Sequence, residues 1–268
     1  GGRAVLATTV LPGSPMTVHY HEPGHVQDPG LVAGDFRLAG SWLQRFQHET
    51  RTGGPVEMAE AFDRWVRPTF ARYRDRVGWS VWEEQLLDRL ALLAGELGGV
   101  PVSLTAVHGD YATGNLLVEE GRISGVVDWE RGRRAGPPLS DLFKFAASYG
   151  SYLDRAAPPR NGALPGHPGW ARARDRWGGF AGWSNAVGFL YAFLGQGWFP
   201  DLVRAFLAEH LRRLALPLAA CALFLPVFLA EQAMALDNAV YRDGYRSLLS
   251  VLADEGNARW LRRLEVAG

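Results

Sequence analysis

The chain of 268 residues has one cysteine, Cys221, and one lysine, Lys144. A lone cysteine excludes an intrachain disulfide framework and suits a reducing, cytoplasmic setting. Cys221 lies in an apolar run without an activating neighbour, so it reads as a small core residue and not as a nucleophile. Neither G-x-x-x-x-G-K-[ST], G-x-G-x-x-G nor G-x-S-x-G occurs, which removes the P-loop, the dinucleotide fingerprint and the nucleophile elbow. Net charge is missing as well, because 28 basic and 28 acidic residues cancel. No global field therefore favours nucleic acid, and a charged ligand must meet a local cluster. The chain begins Gly1-Gly2-Arg3, with no Met, no signal peptide and no cleavage site, and reads as a piece of something longer. Residues 214–230 form an uncharged run of 17, interrupted by Pro217 and Pro226. That is the lower edge of bilayer length, and an amphipathic continuation follows, so a buried core helix is expected and no membrane partner.

What is present is a globular composition, 47% hydrophobic and 12% aromatic, enough for a sizeable core and too apolar for disorder. Residues 4–10 read as a short strand ending at Leu11-Pro12-Gly13. Residues 14–35, rich in Pro, Gly and His, read as a loop. Met58, Phe62, Trp65, Val66, Phe70 and Tyr73 fall at helical steps, with Pro68 expected to kink or split the run. Ser80 and Glu83 form a capping box ahead of a leucine-rich helix. Residues 102–107 read as a strand, followed by His108-Gly109-Asp110 as a loop and by strands at 116–118 and 123–127 joined through Glu119-Glu120-Gly121-Arg122. Ser140 is positioned to cap the next helix. Residues 151–169 are a Pro/Gly-rich connection, and from Trp170 the pattern is helical almost to the end.

Two constellations could carry chemistry. His21-Glu22-Pro23-Gly24-His25 spells H-E-x-x-H, which works in zinc hydrolases because a helix sets both histidines on one face. Pro23 and Gly24 are the pair least suited to a helix interior, so a solvated loop is expected, with a metal-dependent hydrolase using His19, His21 and His25 as a rival. The denser constellation is V-H-G-D-Y-A-T-G-N, a hairpin, then G-V-V-D-W-E. Asp110 and Asn115 lie five apart on a loop, and Asp128 ends a later strand, so the hairpin can bring three oxygen-bearing side chains together. Mg²⁺ takes a few protein oxygens alongside substrate phosphates and water. Asn115 and Asp128 can supply them while Asp110 faces a hydroxyl, the layout of phosphoryl transfer. Separately, each of the three could serve only an Asx turn or a loop cap.

H-G-D-x-x-x-x-N, the strand ending in D-W-E, and G-P-P-x-x-D-L resemble the aminoglycoside phosphotransferase and choline kinase group of small-molecule kinases. The resemblance implies an α+β, mostly helical fold, a protein-kinase-like C-terminal lobe with a short hinge strand at the N-terminus. It implies Asp110 as catalytic base, Asn115 and Asp128 as Mg²⁺ ligands, and His108 and Asp141 as structural support of the site. Residues 4–13 look like the family's last N-lobe strand and hinge, which implies nucleotide contacts through the backbone of Thr8 and Val10 and through Leu117 and Val127. The implied division is 1–13 as strand and hinge and 14–268 as the lobe, with the catalytic loop and metal hairpin at 102–130 and a helical substrate-binding subdomain at 170–268. The family's glycine-bearing loop and strand lysine lie upstream of the hinge and have no counterpart here. Lys144 falls past the later Asp and is not expected to replace that lysine. The expectation is an ATP-dependent phosphotransferase, truncated at its N-terminus, with Mg²⁺ as cofactor and an aminoglycoside-, choline- or sugar-like hydroxyl acceptor. The alternative is a catalytically inactive binding protein of the same fold. Glu209, Glu231, Asp237 and Asp243 could line an acidic acceptor pocket, and Trp170, Trp177, Trp183 and Trp198 could stack on a sugar or enclose an ammonium. Both sets read equally as a solvated helix face and an aromatic core.

Overall fold

A computed structural model describes residues 10–151, 170–177, 184–235 and 237–254. The chain is mostly helical, with two small antiparallel sheets. After Gly13, whose positive φ turns the chain, β1 (Ser14–Pro15) pairs with β4 (Leu116–Glu119), which pairs with β5 (Arg122–Val126). The β4–β5 turn uses Glu120 and Gly121, both at positive φ, the conformation that matches the twist of a two-residue hairpin loop. A second sheet joins β2 (Val56–Glu57) to β3 (Pro101–Val102).

The helices are α1 (Met16–Tyr20), α2 (Pro29–Glu49), α3 (Met58–Ala61), α4 (Arg67–Arg76), α5 (Val81–Glu96), α6 (Ser140–Ser151), α7 (Trp170–Trp177), α8 (Ser184–Leu194), α9 (Trp198–Leu214), α10 (Ala219–Met234) and α11 (Ala239–Asp254). The core centres on α10, which packs against α4, α5, α6 and α11. It is buried on nearly every face, as the uncharged run demanded. Among the described residues no single helix is long and apolar enough to cross a membrane, although α9 and α10 pass that test together as a pair bent by 109°.

Several local expectations change. Residues 14–35 are structured: β1, α1, a 3₁₀ turn at His25–Gln27 and the start of α2. Met16 and Tyr20 are buried, and the Tyr20 hydroxyl donates to the Tyr149 carbonyl at 3.0 Å. Tertiary docking thus orders a segment whose own periodicity is too short to signal a helix. Asp28 caps α2 by accepting from Gly30 N–H at 2.7 Å, with Pro29 in the first turn, the arrangement suited to orphan helix donors. Pro68 stands in the first turn of α4, where a missing donor costs little, and a π turn over Phe62–Val66 separates that helix from α3, so the run is split just ahead of the proline. The strand expected at 102–107 shrinks to β3 and a single bridge from Val107 to Arg133. Ser140 does not cap α6, because its hydroxyl is buried without a partner. The Ser80–Glu83 capping box forms as read, and buried Glu83 also receives the Tyr73 hydroxyl and the Arg246 guanidinium, tying α11 to α4 and α5.

One helix crossing matters for the site. A Cβ on Gly188 of α8 would lie 2.3 Å from the Gly150 carbonyl oxygen of α6. Only glycine permits so close an approach, and it fixes where α6 stands.

Candidate active site

The loop after Val107 is held from both sides. Val107 exchanges backbone hydrogen bonds with Arg133 at 2.9 and 3.0 Å. Asp141, in the first turn of α6, accepts from His108 N–H at 2.7 Å and from Gly109 N–H at 2.9 Å, so both carboxylate oxygens are filled by backbone donors. Burial pushes the Asp141 carboxyl up, opposed by those two bonds, His108 and Arg133. Gly109 sits at φ +81°, and a Cβ there would lie 2.5 Å from the Arg131 carbonyl. The sequence therefore needs glycine at that point for both conformation and space.

His108 is buried, and its ring is a strut between strands. Asp110 N–H donates to its Nδ1 at 3.2 Å, which leaves Nε2–H to donate to the Val127 carbonyl at 2.9 Å. That network makes Nδ1 the acceptor and Nε2 the donor. The Trp129 ring packs edge-on against it, centroids 4.4 Å apart.

The Asp110 side chain makes no Asx turn. Its Oδ1 lies 2.7 Å from Lys144 Nζ, with the two side chains 24% and 18% exposed. Burial acts to raise the Asp110 carboxyl, but Lys144, then Arg131 and His108, outweigh it and the group sits below the usual carboxylate value. Asn115 donates its amide to the Asp110 carbonyl at 2.8 Å. This leaves the amide oxygen as the atom it can offer to a cation. Val127 N–H donates to the Asn115 carbonyl at 3.0 Å, and Leu116 pairs with Val126. The hairpin register thus sets Asn115 and Asp128 at one end of the same ladder.

Asp128 has φ +69° and ψ +56°, an αL conformation uncommon outside glycine and best tolerated by Asn and Asp. Its carboxylate is exposed, caps nothing and enters no ion pair or side-chain hydrogen bond among the described residues. No three His, Cys, Asp or Glu among the described residues converge on a metal-sized site. An all-protein cage, as zinc would require, is therefore absent there. One carboxylate and one amide oxygen with open space suit Mg²⁺ carried in on phosphates. The zinc rival fails on geometry, since Gly24 has φ +85°, His25 bonds Asp35 at 2.7 Å and His19 bonds Glu22 at 3.2 Å.

The remaining expected positions divide. Leu117 and Val127 are half-buried on the hairpin, and Val10 is 94% exposed at the point where the described chain begins. Leu11 lies over Gly125 beside Leu117, and the Ser124 hydroxyl donates to the Pro12 carbonyl at 2.6 Å. Thr8 and the expected strand at residues 4–9 lie outside the described residues, as do Trp183 and the Trp170 side chain. Trp177 is buried, and Trp198 packs against the core. The four tail carboxylates do not form a pocket. Glu231 is clamped by Arg133 at 2.7 and 3.0 Å, Glu209 pairs with Arg212 and Arg213, Asp243 pairs with Arg242, and Asp237 is exposed.

The sequence reading missed Lys144. It stands three residues after Asp141 on α6, hence on the same helix face. Asp141 grips the loop, so Lys144 must reach toward it, and that spacing was the available signal. Arg131, whose charge also bears on Asp110, was missed for lack of any motif.

A family model described as the phosphotransferase enzyme family matches residues 1–176. No curated protein matches the chain. Among solved structures, a glucosamine kinase in crystal form A is similar at 19% identity and a TM-score of 0.44, over 84% of this chain and 53% of that one. A glucosamine kinase in complex with glucosamine, ADP and inorganic phosphate is similar at 19% identity and a TM-score of 0.40, over 88% and 53%. The chain thus spans about half the length of these structures. With the match covering well over half of its residues, the chain belongs to the phosphotransferase enzyme family.

Proposed function

We propose that this site transfers the γ-phosphoryl group of ATP to a hydroxyl of a small, sugar-like molecule, with Asp110 as the base and Asn115 and Asp128 holding Mg²⁺. The observation that carries the reading is the division of labour among the carboxylates of one loop and hairpin. Asp141 is saturated by backbone donors, Asp110 keeps one oxygen on Lys144, and Asp128 is unpartnered. Mg²⁺ on the phosphates would neutralise charge that builds on the transferring group. Asp110, held ionised by Lys144, orients the acceptor hydroxyl and takes its proton as that oxygen bonds to the γ-phosphorus. The bond from that phosphorus to the β–γ bridging oxygen breaks, and ADP leaves. His108 and Asp141 position the loop, and Leu117 and Val127 offer an apolar surface to a base.

The test is ATP consumption and acceptor phosphorylation by the protein and its Asp110→Asn variant. Turnover should fall by roughly 10²–10⁴-fold, as for loss of a general base, with the fold retained in circular dichroism. Near-native turnover would remove Asp110 from the role. One observation favours the second reading, a binding protein that does not catalyse: the one lysine in the sequence is engaged by Asp110 and not free for phosphates. Saturable acceptor binding without ATP consumption would select it.

A further inference from the structure

The end of α10 reaches both flanks of the Asp110 loop. On one flank, the Arg133 guanidinium donates to both Glu231 oxygens, at 2.7 and 3.0 Å. The backbone of Arg133 exchanges hydrogen bonds with Val107, the residue that leads into His108-Gly109-Asp110. Two residues earlier, the Arg131 guanidinium donates to the Ala235 carbonyl at 3.2 Å, and the Arg131 carbonyl is the group against which Gly109 packs. On the other flank, the Gln232 amide oxygen accepts from Lys144 Nζ at 3.3 Å, and Lys144 meets Asp110 at 2.7 Å. Residues 131–133 are thus a strap between the loop and the most buried helix of the core.

The Glu231–Arg133 contact differs from other ion pairs of the helical half. Glu209 pairs with Arg212 and Arg213 inside one helix, and Asp243 with the adjacent Arg242, so these contacts tie nothing distant together. Glu231 and Arg133 stand 98 residues apart in the chain, with side chains 17% and 37% exposed. A two-pronged guanidinium–carboxylate contact fixes direction as well as distance. A partly exposed pair adds little to stability. Its restraint, however, passes through two backbone hydrogen bonds to the loop that carries Asp110, and a displacement of about 1 Å at a reacting group can cost about 10²-fold in rate.

Building on the phosphotransfer reading, we propose that Glu231 and Arg133 are positioning residues for Asp110, the pair carrying the placement of α10 through the 131–133 strap to the loop. It acts through the backbone of Val107 and needs no contact with nucleotide or acceptor.

The experiment reads the loop and the rate separately. In protein labelled with ¹⁵N at histidine, the His108 ring reports the loop, because its two nitrogens bond the Asp110 N–H and the Val127 carbonyl. Its signals are assigned by their loss in His108→Gln. They should move in Glu231→Gln and in Arg133→Gln, and no further in the double variant, since either change already breaks the pair. Arg133→Lys, which keeps a charged donor, should move them less, and it serves as the test if a glutamine variant fails to fold in circular dichroism. Glu209→Gln, at an ion pair confined to α9, should leave them in place. With ATP and D-glucose as a hydroxylated probe, kcat should fall at least about ten-fold in folded Glu231→Gln while KM for ATP stays within about two-fold. Unmoved His108 signals in the folded variants overturn the proposal, as does an unchanged kcat or a loss confined to KM. His108 signals that move as expected in a protein that consumes no ATP reject only the phosphotransfer reading. Phosphate transfer by a protein whose Glu231→Gln variant keeps both signals and kcat rejects only the positioning pair.

Discussion

Two buried histidines among the described residues, His25 and His108, each stand with a carboxylate, and the protein treats the two groups oppositely. Around His25, everything polar is satisfied: Asp35 accepts from the imidazole at 2.7 Å and, through the same Oδ2, from the Tyr149 hydroxyl at 2.8 Å, in a buried knot between α2 and α6. Around His108, one carboxylate is equally satisfied, but it serves the backbone of its neighbour. Asp141 fixes the loop on which Asp110 meets Lys144 at 2.7 Å and the Asn115 amide at 3.4 Å, while Asp128 stands exposed and unpartnered among the described residues. A matching string of letters lay over both. The difference is whether the fold consumes the polar capacity of the group or holds it open.

Three substitutions test that contrast. The largest effect is expected from Asp141→Ala, which leaves the His108 and Gly109 N–H groups, one buried and one half-buried, without acceptors. Loss of about 3–5 kcal/mol in urea unfolding is expected, together with loss of nucleotide binding. Asp35→Ala should cost about 2–3 kcal/mol by stranding His25 and the Tyr149 hydroxyl, yet leave Mg²⁺-dependent nucleotide affinity of the folded fraction unchanged in calorimetry. If affinity fell in step with stability, the two groups would not be separate. Asp128→Asn, which keeps a side chain tolerant of the αL conformation, should sit at the other extreme, within roughly 0.5 kcal/mol of the parent in unfolding. The same variant should weaken nucleotide binding in the presence of Mg²⁺ much more than in its absence. A large stability change would show that Asp128 has a structural partner in solution.

Much of the site was legible because its parts are local. Alternating apolar residues and Glu120-Gly121 define the hairpin, and H-G-D-x-x-x-x-N spaces Asp110 and Asn115 on one loop. The capping box at Ser80 was readable for the same reason, since three residues contain both partners. What escaped was set by distance in the chain. The short α1 is ordered by Tyr20 reaching residue 149. Lys144 acquires its meaning only when α6 is laid against the loop, and the tail acids lose theirs when Arg133 crosses to Glu231. The Ser140 expectation failed because α6 presents Asp141, and not the serine hydroxyl, to the groups at its start.

The helix α6 is a rod that carries Asp141 near one end, Lys144 one turn on and Gly150 near the other end, about 14 Å from Asp141 and about 9 Å from Lys144 at 1.5 Å per residue. Because its axial position is set at the Gly150–Gly188 crossing, the brace of the loop and the cation on Asp110 share a single mechanical reference far from both. Any side chain introduced at Gly188 displaces them together, like two marks on one ruler. The geometry of the proposed site is thereby exposed to changes in the helical half of the chain that touch neither the loop nor the hairpin.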